Sequence, residues 1–314
     1  MSLESTASAQ PAVRGQLPAR HDPDGVPGPR VSVVIPAYNE GVAIVPVLDR
    51  LFEAVTLSCE VLVVVDFPED STVPVVEQYA VNEPRIRLEV SSYGRGPANA
   101  IRYGIDRATA PVTVVTMADG CDDPLQIDDL ARLVERGVAV AAASRYMAGG
   151  QQVGGPYLKG LISKAAGRSL RVFARIGTRD ATNSFKAYST AFVREVGIES
   201  RAGFEIGIEL TAKARRLRRP VAEIPTIWLD RQAGVSNFRV AQWIPKYFKW
   251  YRFAFGPRMT AEQLRARHAR RAAALQPESR PAALQSANPQ SGNPRPGSPQ
   301  SANPQSAASP TKED

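Results

Sequence analysis

The sequence is poor in the side chains most used for metal, redox and proton-transfer sites. Its 314 residues include two cysteines, Cys59 and Cys121, and two histidines, His21 and His268. Two cysteines build neither a disulfide framework nor a cysteine-rich zinc site, and such a chain suits a reducing cytoplasm. Both histidines lie in or near the terminal stretches, so no catalytic histidine stands out. No apolar run approaches the roughly 20 residues that span a bilayer. The opening "MSLESTASAQPAVRGQLPARHDPDGVPGPR" has no apolar segment of the secretory kind. Any membrane contact is therefore expected to be peripheral.

Positive charge is in excess, with a formal net charge of +8. That balance favours anionic partners such as phosphates, anionic lipid or nucleic acid, and solubility alone would also explain it. The ends differ in composition from the centre. Residues 1–29 are rich in Pro, Gly and charge and are expected to be a disordered tail. Residues 271–314 turn to Ala, Pro, Gln, Ser and Asn, with "QSANP" at Gln285 and Gln300 and "QSGNP" between them. A short polar repeat with nothing to bury reads as a second disordered tail.

Between the ends, β-branched runs alternate with helical patterns. "VSVVIP", "EVLVVVD", "RIRLEVSS", "VTVVTMAD" and "VAVAAASRY" read as strands, and the stretches between them read as helices. This alternation implies an α/β fold with a mostly parallel sheet covered by helices on both faces. Ligands of such sheets sit beyond the carboxyl ends of the strands. Those ends carry Pro36, Ala37, Tyr38, Asn39 and Glu40, then Asp66, then Tyr93 to Gly96, then Asp119, then Ser144, Arg145 and Tyr146.

Each of these has a plain structural alternative. Asp66 is placed to accept hydrogen bonds from a base or ribose, or it opens the polar turn "FPEDST". "SSYGRGPANAIRYG" lacks the G-x-G-x-x-G spacing and the lysine of a phosphate loop, so its glycines serve a tight turn into a helix, with Arg95 near an anionic ligand. Asp119, Asp122 and Asp123 suit a hard divalent cation, and Mg²⁺ commonly takes one or two carboxylates plus substrate phosphates. Asp122 and Asp123 equally suit the start of the next helix, with Pro124 in its first turn.

"VSVVIPAYNE", "VLVVVDFPEDST", "GRGPANAIRYG", "TMADGCDDP" and "SRYMAGG", in this order and spacing, resemble an inverting family 2 glycosyltransferase of the GT-A, Rossmann-like fold. "RDATNSFKAYS", "GFEIGIELTAKARR" and "VAEIPTIWLDRQAGVSNF" are similar to the subgroup of dolichyl- and polyprenyl-phosphate mannosyltransferases and glucosyltransferases. The likeness spans about Val31 to Phe255. It implies that Pro36, Ala37, Tyr38 and Glu40 cradle the donor nucleotide, that Asp66 contacts the nucleoside, and that Arg95 and Ala118 complete the donor side. Arg145, Arg168, Lys186 and Ser236 would serve the acceptor, and Asp119 with Asp122 would hold Mg²⁺ or Mn²⁺. The sequence departs from the pattern at Met117, where the first Asp of the family's D-x-D motif is usual, and at Asn237, where a Lys is usual. Arg231 would then supply more of the charge opposite the diphosphate.

Two further segments bear on partners. "GGPYLKGLISKAAGRSLRVFARIG" alternates apolar and basic residues and reads as amphipathic helical structure, beside the lipid phosphate in the resembled family or simply a solvated face. "FRVAQWIPKYFKWYRFAFGPR" mixes aromatics, among them Trp243, Tyr247, Phe248, Trp250, Tyr251, Phe253 and Phe255, with Lys and Arg. It reads first as a membrane-interface helix, next as a helix docked on the domain, and last as a nucleic-acid surface. The expected organisation is a GT-A domain over 30–237 and a basic-aromatic amphipathic segment over 238–270.

The expected activity is metal-dependent, inverting transfer of a hexosyl unit from a nucleotide-diphospho-sugar to a polyprenyl phosphate. The protein would sit in the cytoplasm, peripheral at the inner face of the cell membrane, with no nucleic-acid partner. A phosphate acceptor is already anionic and needs no general base. A sugar-hydroxyl acceptor would need one, with Asp180 or Glu205 as candidates, and a non-catalytic sugar-nucleotide-binding protein is the alternative that Met117 raises.

Overall fold

Six consecutive buried residues, Val31–Pro36, form β1, an interior strand of a seven-stranded sheet. A strand buried on both faces needs this continuous apolar run, and alternate residues feed opposite cores. The structure is a computed structural model describing residues 28–155, 157–201, 203–230 and 240–274. Around β1 lie β2 (Cys59–Val65), β3 (Ile86–Val90), β4 (Val112–Val115), β5 (Val140–Ser144), β7 (Lys186–Ser189) and β8 (Val221–Pro225), in the order β3-β2-β1-β4-β7-β5-β8. All pairings are parallel except those of β7, which runs antiparallel between β4 and β5. β6 (Gln151–Val153) and β9 (Ile227–Leu229) form a separate parallel pair.

Val33, Ile35, Val63, Leu48, Leu51 and Leu130 fill the core on one face of the sheet. The last three come from α1 (Val45–Ala54) and α4 (Ile127–Glu135), with α2 (Thr72–Ala80) beside them. Val34, Leu62 and Val64 face the other way, towards α3 (Pro97–Arg107), α6 (Thr190–Val196) and α7 (Ile206–Leu217). α3 comes unusually close: a Cβ on Gly104 would stand 2.4 Å from Cγ1 of Val34. The expected doubly covered, mostly parallel sheet is the one observed.

β4 stops at Val115 and not at Asp119 as its apolar run suggests. Thr116 still donates to the Val34 carbonyl at 3.1 Å. The next amide, on Met117, turns away to the Asp122 carboxylate at 3.2 Å, and the ladder ends.

A third core joins the π-helical turn Leu170–Ala174, which extends α5 (Tyr157–Ser169), to α7 and α8 (Val240–Ala254). Trp250 of α8 is 1% exposed. Its indole N–H donates to Oγ of Ser200 at 3.0 Å. The basic-aromatic segment therefore docks one face on the domain. α9 (Ala261–Ala273) follows, opened by a capping box of Thr260 and Gln263, and its Arg267 and Arg271 reach the buried Glu199 at 3.1 and 3.0 Å. Among the described residues no helix is long and apolar enough to cross a membrane.

Candidate active site

Because β1 to β5 all run the same way, the strand ends named from the sequence share one edge of the sheet. After β1 the chain stays pinned: Ala37 donates to the Val64 carbonyl at 2.9 Å, and the Asn39 amide donates to both Asp70 oxygens at 3.1 and 2.9 Å. Asn39 takes a left-handed conformation, φ 53°, which Asn tolerates better than most residues. The Glu40 amide donates to Oγ1 of Thr72 at 3.0 Å. These bonds fix a loop that leaves the Tyr38 ring exposed.

Asp66 is half-buried at the end of β2 and accepts the Gly96 amide at 2.8 Å. Burial raises its pKa and the charge of Asp70 adds to this, against the Gly96 bond and the charge of Arg95. Gly96 sits at φ 108°, open only to glycine, and so turns its N–H towards Asp66 at the start of α3. Phe67 joins the two sides: Tyr38 meets it edge-on at 6.0 Å and the Arg95 guanidinium lies 5.0 Å over its ring. The result is an aromatic and cationic wall beside a carboxylate. Asp70 and Phe67 had been visible only as members of a polar turn, because their role depends on β1 and α3 arriving next to it.

The acidic loop divides its three carboxylates by position. Asp123 caps the 3-10 turn Pro124–Gln126 by accepting the Leu125 amide at 3.1 Å, which is the plain helix-start role. Asp122 is buried, with Oδ2 taking the Thr116 hydroxyl at 3.0 Å and the Met117 amide at 3.2 Å. Burial, and then the charge of Asp119, push it up to about 7. Asp119 is half-buried, and its Oδ1 takes the Cys121 amide at 3.1 Å. Ala118 beside it is buried.

Among the described residues no three His, Cys, Asp or Glu side chains gather as a ready metal cage. Asp119, with Asp122 behind it, fits the other kind of site, in which substrate phosphates complete the shell of a hard cation. The Leu229 amide donates to the Cys121 carbonyl at 3.4 Å, so β9 ends against this loop. Arg231, Ser236 and Asn237 follow β9 and lie outside the described residues.

The acceptor-side candidates are spread more widely than the sequence implied. Arg145 grips Asp180 through Nε to Oδ2 at 2.7 Å and Nη2 to Oδ1 at 2.9 Å. Asp180 also accepts the Asn183 amide at 3.1 Å, so both its oxygens are engaged. Burial opposes its ionisation, but the charge and hydrogen bonds of Arg145 outweigh this and hold its pKa below the ordinary value. Asp180 is thus an anchor for Arg145, with no side open to act as a base towards a hydroxyl acceptor.

Lys186 is 0% exposed and donates to the carbonyls of Ala181 and Asn183. Lys186 opens β7 opposite Val115, the last residue of β4, so the antiparallel strand brings it to the ligand edge, but its side chain is buried beneath the site and not at a surface an acceptor could touch. Arg168 is exposed on α5. Glu205 is buried, just before α7.

Residues 32–197, just over half of the chain, match the family described as Glycosyl transferase family 2. A polyprenol monophosphomannose synthase of Mycolicibacterium smegmatis is 28% identical over 242 residues, 72% of this chain and 91% of that one. An undecaprenyl-phosphate mannosyltransferase of Micrococcus luteus is 30% identical over 215 residues, 66% of this chain and 87% of that one. Among solved structures, glucosyl-3-phosphoglycerate synthase of Mycobacterium tuberculosis, in complex with Mn²⁺, UDP and phosphoglyceric acid, superposes with a TM-score of 0.55 at 17% identity, covering 74% of this chain and 81% of that one. The same enzyme with Mg²⁺ and UDP gives 0.52 at 17% identity, over 74% and 82%. With the sheet order and the strand-end loops already in place, these matches make the chain a member of glycosyl transferase family 2, a glycosyltransferase on the GT-A fold.

Proposed function

We propose that the protein transfers a hexosyl unit, mannosyl by the names of its relatives, from a nucleotide-diphospho-sugar to a polyprenyl phosphate at the cytoplasmic face of the membrane, with inversion. The observation that carries this reading is the sharing of one sheet edge by Asp66, Arg95, Asp119 and Arg145. Asp66, beside the Tyr38 and Phe67 rings, would take the nucleoside. Asp119 would hold a divalent cation together with the donor's diphosphate, and that cation supplies neutralisation of the charge on the departing group. Asp122 would support Asp119 from behind, and Arg231 would add positive charge.

Arg145, held charged and oriented by Asp180, would align the acceptor phosphate with Arg168 and Ser236. A phosphate oxygen attacks the anomeric carbon as its bond to the diphosphate breaks on the opposite face, and the nucleoside diphosphate leaves. The nucleophile is already ionised, so no proton has to move.

An exposed apolar face supports the membrane side. Phe173 and Val172 on the π-helical turn, Leu161 and Ile162 on α5, and Ile244 and Phe248 on α8 are all exposed. Tyr251 ties the two helices through a 2.9 Å bond to Ser169. Lys164, Arg168 and Arg252 are exposed on the same helices, a mixture that suits a headgroup boundary. The test is incubation with labelled nucleoside-diphospho-mannose or nucleoside-diphospho-glucose, Mn²⁺ or Mg²⁺, and a polyprenyl phosphate. The reading requires label in the lipid extract, and donor binding without turnover across donors and acceptors would overturn it.

A further inference from the structure

A second basic cleft lies far from the strand ends just described. It is about 370 Å³ in volume, and Arg175, Arg215, Arg218, Arg219 and Arg258 line it together with Ile176, Gly177 and Val221. No carboxylate is among the lining residues. Val221 opens β8 and pairs with Val140 at the start of β5, so the cleft is at the amino-terminal edge of the sheet, opposite Asp66 and Asp119.

Two of its five arginines are structurally committed. Arg215 donates to the carbonyls of Ala174 at 2.7 Å and Gly256 at 2.5 Å, stitching the π-helical turn to the end of α8. Arg219 pairs with Glu195 at 3.3 Å. The other three, Arg175, Arg218 and Arg258, have no carboxylate partner among the described residues. Arg175 closes the π-helical turn at φ 53° and Arg218 closes α7 at φ 55°. A left-handed helix-closing position is normally filled by Gly or Asn, because a Cβ is unfavourable there. Attraction to helix carbonyls explains a basic residue in the last turn. It does not explain arginine at the left-handed position itself, twice, facing one cleft.

The surroundings are apolar and open. Val172 and Phe173, the latter 75% exposed, share the π-helical turn that Arg175 closes, and the exposed Phe255 precedes the Gly256 that Arg215 holds. The geometry points to a phosphate-binding site for the headgroup of an anionic membrane phospholipid, with Arg175, Arg218 and Arg258 taking the phosphate and Phe173 and Phe255 entering the acyl boundary. Guanidinium forks match phosphate oxygens in pairs, and exposed aromatics beside them fit a headgroup region better than a soluble anion. This site rests on the reading that the face formed by α5 and α8 meets a membrane, and it sits at the far end of that face from the sugar-transfer site. It would anchor the protein in a fixed tilt without occupying the acceptor site.

The test is flotation of the full chain with phosphatidylcholine vesicles, with and without phosphatidylglycerol. The variant R175G/R218G/R258Q removes the three charges and leaves at both left-handed positions the residue that suits them, so folding is not the weak point. Binding to the anionic vesicles should fall by at least about tenfold, and its salt dependence should flatten. R30Q/R85Q/R132Q removes equal charge elsewhere and should bind like the parent. Equal binding by the cleft variant, or equal loss in the control, would overturn the site. So would a parent that takes up inorganic phosphate through these arginines yet floats equally well on neutral vesicles. Transfer to a short-chain prenyl phosphate in detergent should be unchanged in the cleft variant. Absence of that transfer in the parent would instead defeat the proposed activity and leave the flotation result standing.

Discussion

Arg145 and Asp180 form a two-bonded ion pair, 2.7 and 2.9 Å, with the Asp180 side chain entirely buried. It sits beneath the strand ends and beside the buried Lys186, so loss of the carboxylate leaves the Arg145 guanidinium without its anion in a buried place. Asp180→Asn should destabilise the fold by about 3–5 kcal/mol. Because the folded pKa of Asp180 is lowered, its contribution is full above the carboxylate's unfolded pKa and disappears as pH falls through the folded value. Chemical denaturation of parent and variant should therefore differ at pH 7 and converge in acid.

Asp119→Asn should lower metal-dependent turnover by about 10²–10³ while the melting temperature stays near the parent's, since its side chain is half-buried and not part of the core. Met117→Asp restores the usual first acid of the motif and should tighten Mn²⁺ binding, read by calorimetric titration. Unchanged affinity would show that residue 117 does not reach the metal.

Lys186 is driven down to about 7, chiefly by burial. In the unfolded chain a lysine titrates near 10.4, so between pH 7 and 10 the unfolded state carries a proton that the folded state lacks. Stability should rise with pH across this window, at up to about 1.4 kcal/mol per unit, and Lys186→Met should remove the rise. Denaturant midpoints at pH 7, 8 and 9 check the slope.

Phe173 and Phe248 are 75% and 54% exposed. F173S/F248S should leave the melting temperature within about 1–2 °C of the parent, since exposed positions cost little. It should weaken flotation on neutral and anionic vesicles alike. The arginine cleft should instead act only where anionic lipid is present, and the two sets of variants separate the apolar and the charged contributions.

Trp250→Ala should cost about 3–5 kcal/mol, because it empties the core between α7, α8 and the π-helical turn. The expected boundary at residue 237 therefore predicts a piece that folds poorly by itself: ending the chain there should give a protein of low solubility and early melting.

The five strands before residue 146 were legible because a strand buried on both faces has to be an unbroken β-branched run, as in "VSVVIP" and "VLVVV". Asp66 and Asp119 could be placed at a ligand edge for the same reason: parallel strands put their carboxyl ends together. β7 was not legible. "KAYS" is four residues with no distinctive pattern, and its antiparallel insertion comes from pairing with β4 and β5, which are distant in the chain.

The chain's own order of residues thus determined the strands, the edge they share, the family and the gap in the acidic motif at Met117, since each is a local pattern. The tertiary structure alone decided that Asp180 anchors Arg145, that Lys186 is sealed beneath the site, that Trp250 belongs to the core, and that three arginines with no carboxylate partner among the described residues meet in one cleft. Those are relations between residues tens of positions apart, and burial and charge pairing exist only once the elements have packed.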